Sequence, residues 1–284
     1  MEDATVTLLN MLFKHLDRNG THAMLLSSAF NTIQPHILAD RLLQQFNLSN
    51  NLVGWILNFL TDRTQRVRVN NVLSDLQTTS TGSPQGCVLS PLLFILYTNA
   101  CQSTYEIRAI IKYADDSVIV SLLKGGESSH GPIVDDFVAW CEESYLLLNT
   151  AKTKDMLIDF RKSPQQNCLT SIKGQTIECV QSYKYLGTTI DSKLCFEANC
   201  EAVCQKAQQR LYCLRKLSHF HIDRTLMVMF YRAFIESVLS FSLVSWFKHT
   251  SLKDKNSLGL VVKWASRLIG EPQLYPASLY TNQL

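Results

Sequence analysis

The chain has 284 residues, with 27 Lys and Arg against 24 Asp and Glu, and a formal net charge of +3. Hydrophobic residues make up 46% and charged residues 18%, enough to bury a core, which excludes a disordered chain or a fibrous repeat. A charge this small does not by itself point to a polyanionic partner, so any nucleic-acid surface must come from the local placement of Lys and Arg.

The length predicts one large domain or two smaller ones. The nine cysteines are odd in number. The N-terminal MEDATVTLLN starts with acids and has no basic region or cleavage site, so it does not read as a signal peptide. A reducing intracellular compartment is therefore expected rather than a disulfide framework. Cys195, Cys200, Cys204 and Cys213 lack zinc-finger spacing and have no His among them, and they read as small apolar residues on a helix. The most apolar stretch, 226–247, carries Arg232 and Glu236 near its middle, which favours a buried amphipathic helix over a membrane span.

Taken in order, a helix is expected over 5–16. Apolar residues at 37, 38, 42, 43 and 46, then at 52, 53, 56, 57 and 60, predict helices over 36–46 and 50–60. Arg66-Val67-Arg68-Val69 alternates, Asn70-Asn71 offers a turn, and 72–80 alternates again, which predicts a hairpin. Residues 81–91, TGSPQGCVLSP, form a loop. The helix over 89–97 is apolar nearly all round and so expected to be buried. Strands are predicted over 107–113 and 118–123, with Asp115-Asp116 as the tight turn between them and Gly125-Gly126 ending the hairpin. A helix over 133–148, a strand over 155–160, and an antiparallel pair of 175–179 with 185–190 follow. From 196 onward the pattern is helical, over 197–217, 224–244 and 252–269. The fold class is thus α+β with an antiparallel sheet, followed by an all-helical part, with a boundary near residue 195.

The sharpest chemical feature is Tyr113-Ala114-Asp115-Asp116. Adjacent carboxylates on a short turn repel, and divalent cations are the natural offset. Asp is also an ordinary turn residue, so the tetrapeptide alone leaves a solvated acidic turn open. About thirty residues upstream lies Gly82-Ser83-Pro84-Gln85-Gly86-Cys87. Its glycines permit close backbone approach, and Gln85 offers both a donor and an acceptor to a base or sugar edge.

With these two motifs, the chain resembles the reverse transcriptase of a non-LTR (LINE-type) retrotransposon. Ser27-Ser28-Ala29-Phe30-Asn31-Thr32-Ile33 resembles the end of the family's first palm motif, TGSPQGCVLSP the second and Tyr113–Asp116 the third. Leu148-Asn149-Thr150-Ala151-Lys152-Thr153-Lys154 with Asp159-Phe160-Arg161-Lys162 resembles the fourth, and Tyr183-Lys184-Tyr185-Leu186-Gly187 the fifth. The resemblance implies a right-hand polymerase palm over 21–195, a helical thumb over 196–284, and a remnant of the fingers over 1–20. It implies Asp115 and Asp116 as ligands of Mg²⁺ in two-metal nucleotidyl transfer, with Lys152 near the leaving pyrophosphate. Phe30, Pro84, Gln85 and Gly86 would line the nucleotide and template site, and Tyr185, Leu186 and Gly187 would grip the primer. RNA template, DNA primer and deoxynucleotides would be the partners, with no membrane involved. Ordinary readings stand beside these: a core Phe30, solvated lysines at 152 and 154, and a turn glycine at 187.

The departures matter as much. Leu25 stands where the family places its first carboxylate, and the segment before Ser27 looks about four residues short. A hydrocarbon supplies no oxygen to an ion that demands octahedral oxygen coordination. A loss of catalysis on the order of 10³-fold or more is expected. Little chain precedes the first motif to supply fingers, no endonuclease segment is recognised, and Ala100 follows Asn99 where the family often has an acid. Basic residues cluster at Arg63, Arg66 and Arg68, at Lys152, Lys154, Arg161 and Lys162, and at Lys206, Arg210, Arg215 and Lys216. They are candidates for sequence-independent phosphate contact. The expectation is an RNA-directed DNA polymerase domain that is inactive or strongly impaired. The alternatives are a non-catalytic nucleic-acid-binding remnant and a functionless, poorly folded fragment.

Overall fold

The computed structural model describes residues 1–17, 22–29, 33–84, 86–101, 108–123, 131–160 and 170–283. Helix α1 (Glu2–Asp17) and strand β1 (His22–Ala29) lead into α2 (Pro35–Gln44) and α3 (Asn50–Leu60). Four short strands follow, β2 (Arg63–Gln65), β3 (Arg68–Val69), β4 (Val72–Leu73) and β5 (Gln77–Thr79). Then come α4 (Leu89–Thr98), β6 (Arg108–Tyr113), β7 (Asp116–Leu123), α5 (Gly131–Glu143) and β8 (Lys154–Asp159). Next are β9 (Ser171–Ile172), β10 (Gln175–Thr176), β11 (Glu178–Cys179), β12 (Ser182–Tyr185) and β13 (Thr188–Asp191). The rest is helical: α6 (Glu197–His219), α7 (Arg224–Phe230), a π-helical turn (Tyr231–Glu236), α8 (Ser237–Ser240), α9 (Leu243–Trp246), a 3₁₀ turn (Phe247–His249), α10 (Leu252–Ile269) and α11 (Pro276–Gln283).

The chain divides into two compact units. One holds Met1–Ala23, Met156–Gln166 and Val180–Leu284, the other Met24–Asp155 and Asn167–Cys179. The main sheet has the order β11-β8-β1-β7-β6. Strands β6 and β7 are antiparallel, whereas β11 runs parallel to β8 with Glu178 opposite Lys154. The sheet is therefore mixed rather than purely antiparallel. Ala23, Met24, Leu25 and Leu26 are all buried. Four consecutive buried apolar residues in a strand mean that both sheet faces are covered. In the second unit, Leu38 and Leu42 of α2, Val53, Ile56 and Leu60 of α3, Leu93 and Tyr97 of α4, and Phe137 and Cys141 of α5 form one core. A half-buried guanidinium packs against it. Arg41 donates to the Tyr97 carbonyl and to Ser144 Oγ at 2.6 Å. It also stands 4.7 Å from the Tyr97 ring centroid and 5.5 Å from that of Trp140.

Several expectations need correction. Helix α4 is not buried all round: Leu93 and Tyr97 face the core, but Leu92 and Ile95 are more than half exposed. Segment 175–179 does not pair with 185–190. Instead β9 pairs with β10 and β12 with β13, each across a tight turn, because two-residue connections cost least to close. Helix α5 stops at Glu143, with Tyr145 in the left-handed region and Leu146 N–H donating to the Cys141 carbonyl at 2.8 Å, a Schellman-type end without glycine. Residues 224–249 form a helical run that is long and apolar enough by length and composition to cross a membrane, with a third of its most apolar window buried. It is not one helix. It passes through the π-helical turn and breaks at Phe241 and Ser242, where Ser242 has φ +50° and its N–H donates to the Glu2 carboxylate at 2.7 Å. Met227, Tyr231, Ile235 and Leu239 form its buried stripe. Gly125 and Gly126 lie outside the described residues.

Candidate active site

The acidic turn is tighter than its sequence suggests. In the β6–β7 register, Tyr113 faces Asp116, so the two-residue loop is Ala114-Asp115 and Asp116 opens β7. Ala114 takes φ +51°, a conformation that two-residue hairpins require and that alanine adopts only at a cost. Asp115 is exposed and Asp116 half-buried. Burial, and then the Asp115 charge, raise the Asp116 carboxyl above its ordinary value of 3.8. The folded chain thus holds this proton more tightly than the unfolded one. Stability from this group is complete below the ordinary value and falls as pH rises through the raised one. Asp116→Asn is expected to raise the melting temperature at neutral pH and flatten that acid-side dependence. Thermal melts across the window will check it, and a lower melting temperature would contradict the account.

The glycine loop is clamped at both ends. Gly82 and Gly86 take φ +70° and +79°, where a side chain would be strained. The Gly82 N–H donates to the Ile33 carbonyl at 2.8 Å. Arg63 donates through Nε to Leu60 O at 3.0 Å and through Nη2 to Thr81 O at 2.6 Å and Gly82 O at 3.1 Å. Ser90 Oγ donates to Pro84 O at 2.5 Å and lies 2.8 Å from Cys87 Sγ. That hydroxyl lowers the Cys87 thiol pKa. Arg63 was grouped with the phosphate-contact cations in the sequence, yet its guanidinium is committed to three carbonyls. Its place just beyond the end of α3 was the available signal, since cations there commonly meet the last carbonyls of a helix.

The remaining candidates fall into two sets. Leu25, Pro84, Gly86, Asp115, Asp116, Lys152, Arg66 and Arg68 belong to the second unit. Lys152 is exposed, its N–H held by the Asn149 carbonyl at 3.0 Å. Lys154 is ion-paired with Glu178. Arg66 and Arg68 are exposed, and so are Val67 and Val69 at 64% each, so this hairpin presents both faces outward. Tyr185, Leu186, Gly187, Lys206 and Arg210 belong to the first unit. Tyr185 is buried, and the β12–β13 turn is Leu186-Gly187 with φ +46° and +93°. A Cβ on Gly187 would come within 2.9 Å of Phe241 Cε1, so both backbone angle and ring contact require glycine. Lys206 is exposed. Arg210 donates to the Phe234 carbonyl in the π-helical turn. Phe30, Gln85, Arg161 and Lys162 lie outside the described residues.

A sequence profile of the family "Reverse transcriptase (RNA-dependent DNA polymerase)" matches residues 6–190, and the chain belongs to that family. A second profile, "Alkylated DNA repair protein alkB homolog 8, N-terminal", matches residues 196–237. The chain is similar to the "Probable RNA-directed DNA polymerase from transposon BS" of Drosophila melanogaster, 29% identical over 174 residues. It is also similar to the RNA-directed DNA polymerase from mobile element jockey of the same fly, 30% identical over 151 residues. These matches cover 58% and 50% of this chain, but only 19% and 16% of those proteins. With these relatives, the domain is a LINE-type, non-LTR reverse transcriptase domain. A telomerase from Candida tropicalis in complex with a fragment of telomeric RNA shares the fold at TM-score 0.51 and 12% identity, over 99% of this chain and 49% of that one.

Proposed function

We propose that the chain is the palm and thumb of a retrotransposon RNA-directed DNA polymerase that retains nucleic-acid binding while its catalysis is impaired. In this reading residues 21–195 are the palm, 196–284 the thumb and 1–20 a connecting helix of the fingers. Its ligands are an RNA template, a DNA primer and deoxynucleotides inside the cell, and its cation is Mg²⁺.

The observation that carries the reading is the acidic turn within the family-matched region. Two carboxylates are held together, one of them half-buried with its pKa raised, and a cation would relieve that repulsion. The residues do not fit a two-ion centre. Leu25 is a buried hydrocarbon in β1, and no group of three His, Cys, Asp or Glu side chains gathers among the described residues. Paired ions need more oxygen ligands than two carboxylates provide, so these two alone do not complete such a centre. The chain's own residues position the loop (Arg63, Ser90) and present Asp115.

Filter binding of a primer–template and primer extension with Mg²⁺ test this together. Binding with a clear salt slope is expected, with extension on the order of 10³-fold or more below an intact relative. Robust extension would overturn the impairment, and no binding at low salt would overturn the nucleic-acid reading.

A further inference from the structure

One face of α10 carries Leu252, Asn256, Gly259 and Lys263 at helical spacing. With Phe247, Lys255, Tyr275 and the start of α11 this face lines a cavity of about 610 Å³, a volume suited to a small organic group. No carboxylate among the described residues lines it. Gly259 is buried inside the helix, and a Cβ there would lie 2.9 Å from Tyr275 Cε1. The missing side chain lets the tyrosine ring rest on the helix backbone, yet Tyr275 keeps 51% of its surface exposed. Lys255 Nζ lies 5.2 Å from the Phe247 ring centroid and donates to the Lys248 carbonyl at 3.3 Å. Neither Lys255 nor Lys263 has an ion-pair partner among the described residues. Eight residues apart, their Cα atoms lie about 12 Å from one another along the helix axis, and both residues line the cleft.

An exposed aromatic ring, an amide and two separated ammonium groups, with no acid between them, match the chemistry that binds a single strand: a stacking surface for a base and cations for its flanking phosphates. An acidic peptide would use the lysines but not the ring. We propose that this cleft holds one unpaired nucleotide of a single-stranded nucleic acid, its base on Tyr275 and its neighbouring phosphates at Lys255 and Lys263. The inference rests on the nucleic-acid reading above and adds a location and a strand form to it.

Fluorescence anisotropy of labelled oligo-U and oligo-dT over a salt series tests it in the full chain. Tyr275→Ala is expected to weaken binding about tenfold, and Tyr275→Phe to leave it unchanged. Lys255→Gln and Lys263→Gln should each lower the salt slope by about 0.7. Gly259→Ala improves helix propensity while displacing the ring, so it should weaken binding without lowering the melting temperature. Comparison of the two oligonucleotides assigns the strand as RNA or DNA. Binding that Tyr275→Ala, Lys255→Gln, Lys263→Gln and Gly259→Ala all leave untouched, while Lys206→Gln with Arg210→Gln abolishes it, would overturn the cleft and spare the broader reading. No binding by the unaltered chain would overturn both, and equal affinity for a poly-glutamate peptide would reassign the cleft to a protein partner.

Discussion

Leu25→Asp is expected to make the chain's stability depend on a divalent cation. With chelator present the variant should melt well below the parent. Leu25 is 5% exposed and its neighbours Met24 and Leu26 are buried, so a carboxylate there has neither water nor a cation and costs about 3 kcal/mol or more. With Mg²⁺ or Mn²⁺ the new carboxylate would join Asp115 and Asp116, all within one unit. Linkage then returns roughly 2.7 kcal/mol at a hundred times Kd. Paired melts with and without the ion read the effect, and primer extension by the same variant should rise on the order of 10³-fold over the parent. Identical melting temperatures with chelator and with cation would remove position 25 from the ion site.

The second large effect is at Arg41. Arg41→Ala leaves the Tyr97 carbonyl and the fully buried Ser144 without their charged donor and empties the space between the Tyr97 and Trp140 rings. Hydrogen bonds to charged groups contribute about 1.5–3 kcal/mol each, so a loss of about 3–5 kcal/mol is expected. Arg41→Lys should recover only part of it, since an ammonium cannot reproduce the planar fork. Denaturant unfolding gives the number, and a loss below about 1 kcal/mol would show that α2, α4 and α5 hold together without this cation.

What the sequence disclosed, and what it hid, follows the range of the forces involved. Helices α2 and α3 and the β6–β7 hairpin were legible because their periodicity is local. The glycine loop and the acidic turn were legible as motifs, and the family profile covers both. The break at Ser242 was not, because its partner is Glu2, 240 residues away, and no Gly or Pro marks it. The end of α5 was hidden for a related reason: Tyr145 takes the left-handed conformation usually given to glycine. The exposure of Leu92 and Ile95 on α4 could not be read from composition, which reports how apolar a helix is and not how many neighbours surround it. At the site, the turn was misplaced by one residue, since register rather than residue type decides that Asp116 pairs with Tyr113. The commitment of Arg63 to the loop required distances that no pattern contains.

Strand β1 has a consequence for the order of events on the ribosome. It is synthesised early, but about ninety residues separate its end at Ala29 from Asp116, where the adjacent strand β7 begins. At bacterial and eukaryotic translation speeds that interval lasts roughly 4–17 s. Throughout it the greasy run Ala23-Met24-Leu25-Leu26 has no strand beside it. A ribbon that ends up buried in the finished molecule is thus an adhesive surface on the nascent chain for the whole of that interval, and shielding it until β7 emerges favours the yield of folded protein.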